Sequence, residues 1–578
     1  MASEQSNSIG GVPASPETQD RGIFVERTDT PDRFDSDDEK KTGGTTTHSS
    51  QKRKSTRFSG SQGDAIFPTD PVPSQRDQRT DTVNSNKSAA SSVIEPPWDK
   101  QYVMSFDGGG IRGYSSLLIV RKLMTEIMHI ERGHKESADT SYYPLNYIPS
   151  RDNSIPTEIK SDQNGSRRET FSSEETERQQ RSRYLPCHYF DYIGGTSTGG
   201  LISIMLSRLR MNIDDCIKEY EALGGEIFGH PRIASVRGPI PAFRDKYDGS
   251  QLKRAVEGVI SRRLDITPGE VAYFSSHQSI CKTIVVANKQ KTVEDGDLIL
   301  EPPYLFRSYD HYPAVPKNPS ERNPGRAHHG EIWQVARATS AAPTYFTPIT
   351  INNRKFGDGG FGTNNPAWEV IWEVTQMTGK TSDLGNIALM VSIGTGMSPL
   401  SKFGQGLLGK YYAYFRAAKK LAVDSESVHD RMMTVTGGKD GKVPYYRFNV
   451  KDGLGEMKLD EWKGPKKWRR QRENLTLKCI REKTDDYLKL QEVQEDLKEL
   501  ARILVENRRK RCKTAIWDLV CLGMQYRCCF EGCPKTHKMR RSARDLRTHL
   551  RISHKLDERV AKDKETIERL IETGRCPC

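Results

Sequence analysis

The chain has 578 residues, room for several domains, yet only 34% are hydrophobic and 29% are charged, so part of it must be unfolded or thinly packed. A formal net charge of +13 favours anionic contacts, phospholipid headgroups or nucleic acid, without choosing between them. Eleven cysteines without framework spacing, no apolar leader and no run of about 18 apolar residues argue against a disulfide-stapled secreted scaffold and a transmembrane helix, and point to an intracellular chain whose membrane contact is peripheral.

Residues 1–96 are rich in Ser, Thr, Asp, Gly, Gln and Arg with no sustained period, and read as a disordered arm. Order starts at Tyr102–Phe106, an apolar burst that runs into Asp107-Gly108-Gly109-Gly110 and then into the helical pattern of Leu117, Leu118, Val120, Leu123 and Met124. Similar units are predicted at His188–Ile193 followed by Leu201–Leu209, at Ile284–Ala287, and at Ile387–Ile393 followed by Gly394-Thr395-Gly396. Strands alternating with helices predict an α/β core over residues 97–462 with a largely parallel central sheet. Between residues 131 and 183 the pattern lapses into Ser-, Arg- and Glu-rich sequence, a mobile surface insertion in the first crossover.

A basic helical segment is predicted over 463–515, with Leu490, Val493, Leu497, Leu500 and Leu504 at threes and fours. Its runs Lys466–Arg472 and Arg508–Lys513 read as solvated helix faces, with nuclear import, nucleic-acid or membrane contact as functional alternatives. A cysteine/histidine unit occupies 516–557, and a tail over 558–578 carries a helical stretch at Val560–Ile571 before an exposed Cys576-Pro577-Cys578.

Three glycine-rich motifs stand out. Gly195-Thr196-Ser197-Thr198-Gly199 fits G-x-S-x-G where a strand meets a helix, a turn whose small neighbours keep a strained serine exposed as a nucleophile. In Asp107-Gly108-Gly109-Gly110-Ile111-Arg112-Gly113, successive backbone N–H groups without side chains suit an oxyanion hole; no Lys-Ser/Thr pair follows, and dinucleotide spacing is not met. Asp358, in Gly357-Asp358-Gly359-Gly360, follows the strand-like stretch Ile349–Phe356 and precedes a helix opening at Pro366; alone, such a motif is a plain turn.

In this order the three motifs resemble the patatin-like phospholipase family over about residues 98–449. Ala338-Thr339-Ser340-Ala341-Ala342-Pro343, Asn364-Asn365-Pro366 and Ser392-Ile393-Gly394-Thr395-Gly396 extend the likeness, while the insertion and everything beyond about Trp462 depart from it. The resemblance implies a three-layer α/β hydrolase that cleaves acyl esters of membrane phospholipids or other glycerolipids, in the manner of a phospholipase A or lysophospholipase. It implies that Ser197 attacks the carbonyl, that Asp358 takes the proton directly, and that Gly108, Gly109 and Gly110, helped by Arg112, hold the oxyanion, with no catalytic cofactor. A carboxylate is a weak base for a hydroxyl, so proximity and the oxyanion donors must carry much of the barrier. An ordinary Ser-Asp-His triad needs a histidine after Asp358, and His429, outside the cysteine cluster, sits in a polar helical stretch that reads as surface.

Cys528 and Cys533 leave four residues between them, His549 and His554 likewise, an order that fits tetrahedral zinc. The segment resembles a Cys2His2 finger, although fifteen residues separate Cys533 from His549, against about twelve in the usual finger. Cys529 competes as first ligand and His537 as a stray one. A structural zinc would supply the folding energy such a small unit lacks. One finger spans only about three base pairs, so a protein partner or docking on the hydrolase competes with nucleic acid. The second functional expectation is therefore a zinc-finger regulatory or binding protein using the hydrolase fold as scaffold. The expected location is cytoplasmic or peripheral to a membrane, with the nucleus as a further option.

Overall fold

The computed structural model describes residues 96–134, 173–231, 245–264, 266–267, 270–292, 298–311, 325–343, 345–377, 384–396, 424–464 and 473–577. The predicted N-terminal arm, most of the predicted insertion and the basic run Lys466–Arg472 lie outside the described residues.

Strand β1 (Gln101–Phe106) passes through the glycine turn into helix α1 (Gly113–Gly133); α2 (Ser173–Arg181) precedes β2 (Tyr192–Thr196), α3 (Thr198–Ser203) and α4 (Ile213–Phe228). Helix α5 (Gly249–Leu264) leads to β3 (Lys282–Thr292) and β4 (Leu298–Arg307), then α6 (Ile332–Thr339), β5 (Ile349–Ile351), β6 (Arg354–Asp358) and α7 (Ala367–Met377). Strand β7 (Ile387–Ile393), α8 (Asp424–Thr436) and β8 (Tyr445–Phe448) complete an eight-stranded sheet ordered β5-β6-β3-β2-β1-β7-β8, with β4 also on β3. The middle of the sheet is parallel, whereas β3 pairs antiparallel with β4 and β6, and β5 with β6.

Side chains alternate along each central strand, and both faces are buried. Met104, Phe106, Ile193, Val285 and Val391 join the core shared with α1, α3, α4, α5 and α6; Val103, Tyr192, Ile284, Val286 and Met390 join the core under α7 and α8. The result is the expected three layers. Phe106 registers with Gly195 and Thr196 with Val286, while Ala287 registers with Asp358, so the ends of β1, β2 and β6 converge beside one another. A crevice at the carboxyl ends of parallel strands is where open α/β sheets bind ligands.

Two predicted strands are placed differently. Pro186–His188 is a short helical turn, and the strand expected at His188–Ile193 lies at Tyr192–Thr196, running straight into the serine turn. The stretch Ile349–Phe356 is a hairpin, because Asn352 and Asn353 adopt φ of 49° and 61°, the left-handed pair that closes a tight two-residue turn.

Helices α9 (Leu475–Leu488) and α10 (Gln491–Arg511) pack along α1, and Leu497, Leu500 and Leu504 enter the same core as Leu117 and Val120. The basic run starting at Arg508, expected on a solvated face, is largely turned inward: Arg508 and Arg511 are 1% and 2% exposed. The Arg511 guanidinium forks onto Asp191 at 2.8 and 2.9 Å and donates to the carbonyls of Pro97 and Lys100. Arg508 and Arg509 reach Glu131, at the end of α1, at 3.0 and 2.6 Å. Buried carboxylates at the ends of α1 and β2 require counter-charges, and these arginines supply them.

A third, smaller core gathers β9 (Met524–Tyr526), α11 (Ala543–His554), α12 (Ala561–Thr573) and β10 (Arg575–Pro577). Strand β10 pairs antiparallel with β9, so the segment expected as an exposed tail is tied down as far as Pro577. No helix among the described residues is long and apolar enough to cross a membrane.

Candidate active site

Ser197 follows β2 and occupies the N-cap position of α3, with φ 55° and ψ −126°, a conformation that costs an L residue about 1–3 kcal/mol and that the surrounding packing must hold. Glycines make the turn sterically feasible. A Cβ on Gly195 would overlap the Gly199 carbonyl, and one on Gly199 would meet the backbone of Phe106 and Asp107 at the end of β1. Thr339 at the end of α6 pins the serine from below: its Oγ1 accepts from the Ser197 amide at 2.8 Å and donates to the Val286 carbonyl at 2.6 Å.

The half-buried Ser197 hydroxyl donates to Asp358 Oδ2 at 2.6 Å. Asp358 is itself buried, and its other oxygen accepts from the Gly360 amide at 2.7 Å. Burial pushes its carboxyl up to about 6, against the opposing pull of the Ser197 and Gly360 hydrogen bonds. The weak base anticipated from the residue type is therefore strengthened by desolvation. A carboxylate that holds its proton to about 6 accepts one from a hydroxyl more readily than a solvated aspartate.

Each carbonyl of the glycine turn is engaged. Thr395 Oγ1 donates to the Gly108 carbonyl at 2.7 Å, Tyr220 Oη to that of Gly110 at 2.6 Å, and the Arg112 amide to that of Gly109 at 3.2 Å. The flanking amides are also committed: Asp107 donates to Ile393, Gly108 to Asn364 and Ile111 to Leu459, at 3.0, 3.0 and 2.7 Å. Gly108, expected as an oxyanion donor, is thus corrected to a structural position, since its N–H points into the Asn364 carbonyl. Among the described residues the amides of Gly109 and Gly110 have no protein acceptor, so these two can receive an anionic oxygen. Gly108 earns its lack of a side chain differently, because a Cβ there would lie 2.6 Å from Asn364 Oδ1 and 3.1 Å from Ser197 Cβ.

Arg112 is buried, donates from Nε to the Gly109 carbonyl at 3.3 Å and lines the same cavity as Ser197 and Asp358. Burial pulls it down to about 10, so it stays charged at neutral pH. Beneath the turn, Asp107 is clamped by Arg447 at 2.9 and 2.6 Å, which ties the end of β1 to β8. His429 stands on α8 with Nδ1 3.3 Å from the Tyr445 hydroxyl and is not among the residues lining the cavity.

That cavity, about 300 Å³, opens over Ser197. Its lining includes an apolar set, Leu201, Leu223, Ile227, Phe228, Leu252 and Phe346, together with the polar Arg112, Tyr345 and Asp460. This volume lies at the lower end of small-molecule sites.

A second constellation lies in the small C-terminal core. The ligand atoms of Cys528, Cys533, His549 and His554 all lie within 4.8 Å of one another. Cys528 Sγ is 3.5 Å from His554 Nε2, Cys533 Sγ is 3.4 Å from His549 Nε2, and the two Nε2 atoms are 3.2 Å apart. With Zn–S and Zn–N bonds of about 2.3 and 2.0–2.1 Å, a tetrahedron has S···N and N···N edges of roughly 3.5 and 3.3 Å, so this group could hold a metal ion of that size. Ser553 Oγ lies 3.0 Å from the other ring nitrogen of His549, the kind of contact that orients a ligating imidazole. Cys529 and His537 stand outside the group. Arg547 of α11 pairs with Glu568 of α12 at 2.7 Å.

Thr339 and Asn364, which hold the amides of Ser197 and Gly108, fall within segments that carry the family resemblance, yet nothing local in the sequence marks these contacts. Leu459, which holds the Ile111 amide, and Asp460, which lines the cavity, lie outside those segments.

A sequence model of the patatin-like phospholipase family matches residues 180–371, which include Ser197 and Asp358 but not the glycine turn. Calcium-independent phospholipase A2-gamma of Rattus norvegicus is 26% identical over 360 residues, 61% of this chain and 40% of the rat protein. Phospholipase A I of Arabidopsis thaliana is 25% identical over 317 residues, covering 48% of this chain and 23% of its own length. The cGAMP-activated phospholipase of Vibrio cholerae is 26% identical over 273 residues, 42% of this chain and 65% of the bacterial one. The chain thus spans less than half of the rat and plant relatives it matches.

Proposed function

We propose that this chain, whose residues 180–371 form a patatin-like phospholipase domain, is a serine lipid acyl hydrolase of phospholipase A or lysophospholipase type. The observation that carries the reading is the 2.6 Å hydrogen bond from Ser197 Oγ to a buried Asp358, both lining a cavity with an apolar set of side chains. The names of the relatives, all phospholipases, support the substrate class.

In the proposed reaction an acyl chain lies along Leu223, Ile227 and Phe228 with its ester carbonyl at Ser197. Ser197 Oγ forms a bond to the carbonyl carbon as its proton passes to Asp358 Oδ2, and the amides of Gly109 and Gly110 receive the oxyanion, with the Arg112 charge nearby. Collapse breaks the ester C–O bond, and the leaving alcohol or lysolipid takes the proton from Asp358. Water then attacks the acyl-serine as its proton passes to Asp358, the acyl carbon–Ser197 Oγ bond breaks, Asp358 returns the proton to Oγ, and a fatty acid leaves. Each amide donor is worth about 3 kcal/mol of barrier.

The Cys528, Cys533, His549 and His554 group would hold a structural zinc, which would fix the small C-terminal core rather than take part in ester cleavage. The distances among its ligand atoms support this assignment.

The test is product analysis on phosphatidylcholine and lysophosphatidylcholine vesicles. Wild type and His429→Ala are expected to release fatty acid at comparable rates and Ser197→Ala to release none. Loss of activity in His429→Ala would defeat the two-residue mechanism. An inert wild type would leave the alternative, a zinc-finger binding protein on a hydrolase scaffold.

A further inference from the structure

The segment from Gly455 to Trp462 lies beyond residue 371, where the family match ends, and beyond the part of the chain that resembles the family by motif, yet it touches the glycine turn directly. The Leu459 carbonyl accepts from the Ile111 amide at 2.7 Å. The same peptide is flush against Gly110, which has φ +58°; a Cβ there would overlap the Leu459 carbonyl and come within 2.9 Å of its Cα. Arg112 reaches the segment as well, donating to the Gly455 carbonyl at 3.5 Å.

The C-terminal side of the segment is fastened. Asp460 is 7% exposed and accepts from the Tyr247 hydroxyl at 2.8 Å and from Lys246. Trp462 covers α4, where a Cβ on Gly224 would lie 2.8 Å from its indole ring. Lys463 then hands the chain to α9, with its amide donating to Thr476 Oγ1 and its carbonyl accepting from the Leu475 amide at 2.9 and 3.0 Å. Leu459 itself is 38% exposed and, with Asp460, lines the cavity over Ser197. The segment is therefore a strap drawn across the turn, anchored at the surface by one buried carboxylate.

We infer that this strap is a positioning element for the oxyanion hole: Asp460, anchored by Tyr247 and Lys246, seats the Leu459 carbonyl on Ile111 and so fixes the two free amides, Gly109 and Gly110, at the cavity. This rests on the ester-hydrolase reading and assigns it a component outside the family-like region. Without the Leu459 carbonyl the Ile111 amide loses its acceptor, and the turn retains Tyr220, Thr395 and Asn364 as its other ties. The amides of Gly109 and Gly110 then spend less time in the geometry that the developing oxyanion needs. Losing an oxyanion donor outright costs about 10²–10³ in turnover, and loosening two of them should cost less.

The full-length protein is compared as wild type, Asp460→Ala, Asp460→Asn and Tyr247→Phe, with a soluble acyl ester and by hydrogen exchange of peptides covering residues 106–114. Asp460→Ala should lower kcat about tenfold or more with KM within about twofold, the signature of an interaction made only in the transition state, and should speed exchange in the turn. Asp460→Asn keeps an oxygen for Tyr247 and should recover most of the activity. Tyr247→Phe removes only a hydroxyl and carries the test should Asp460→Ala not fold. An active wild type with unchanged kcat in the alanine and phenylalanine variants, a KM effect alone, or no change in exchange would overturn the strap and leave the hydrolase standing. An inert wild type would overturn the hydrolase reading and the strap's role with it.

Discussion

Asp358→Asn is expected to lower ester hydrolysis at least about a thousandfold at pH 8, by a smaller factor as the pH falls below about 6, while making the folded protein more stable at pH 8. The activity arm follows from the base: an amide cannot take the proton that Ser197 Oγ releases, and comparable losses accompany removal of one member of a catalytic serine constellation elsewhere. The stability arm follows from burial. Desolvation raises Asp358 from 3.8 to about 6, so between those values the folded state holds a proton the unfolded chain has released. Stability contributed by this group is full below about 3.8 and is lost as the pH rises through about 6. A neutral asparagine, able to accept from Gly360 and donate to Ser197, escapes that loss, for a gain on the order of 2–3 kcal/mol at pH 8 that vanishes near pH 4. Wild-type kcat/KM, which reports the free enzyme's ionisations, should correspondingly rise with pH and level off above about 6. Urea unfolding at the two pH values and a pH–rate profile check both arms. A variant that retains several per cent of activity, or is less stable than wild type at pH 8, would contradict the assigned role.

The second large effect concerns the C-terminal core. Ten buried residues, two of them the proposed ligands Cys528 and Cys533, are too few to hold β9, α11, α12 and β10 together unaided. Structural zinc in small modules contributes about 10–16 kcal/mol of binding free energy at pH 7, all of it folding free energy. Purified protein is expected to carry one zinc per chain by elemental analysis, and Cys533→Ser or His554→Asn to carry none. In those variants residues 524–577 should exchange amide hydrogens and be cut by protease far faster, while exchange in the sheet changes little. Metal-free wild type with slow exchange over residues 524–577 would contradict a structural metal.

Legibility in the sequence followed the range of the interaction. The serine turn could be read because strand, glycines and helix are contiguous, and a strained serine has a local signature; Ser197 indeed sits at φ 55° between them. Asp358 could be read only through the company of the other motifs, since nothing local separates it from a plain turn. Its burial, which changes its basicity, arises from packing across the sheet and leaves no mark in the chain. Thr339 is 142 positions from the amide it caps, and its role depends on α6 ending beside β2. Gly108 shows the limit of composition: a glycine run offers bare amides, but which ones are free depends on where Asn364 and Leu459 place their carbonyls. The run from Arg508 read as a solvated face because a basic helix end looks the same whether it meets water or buried carboxylates. Only the fold shows Glu131 and Asp191 waiting beneath it.

The most direct test of the central claim is the site and rate of covalent capture by a fluorophosphonate reporter, read by peptide mass spectrometry on the full-length protein. A single adduct is expected on Ser197 of wild type, with none on Ser197→Ala and capture slowed at least a hundredfold in Asp358→Asn. Labelling elsewhere, or equal labelling of wild type and Asp358→Asn, would contradict an Asp358-activated serine as the catalytic centre.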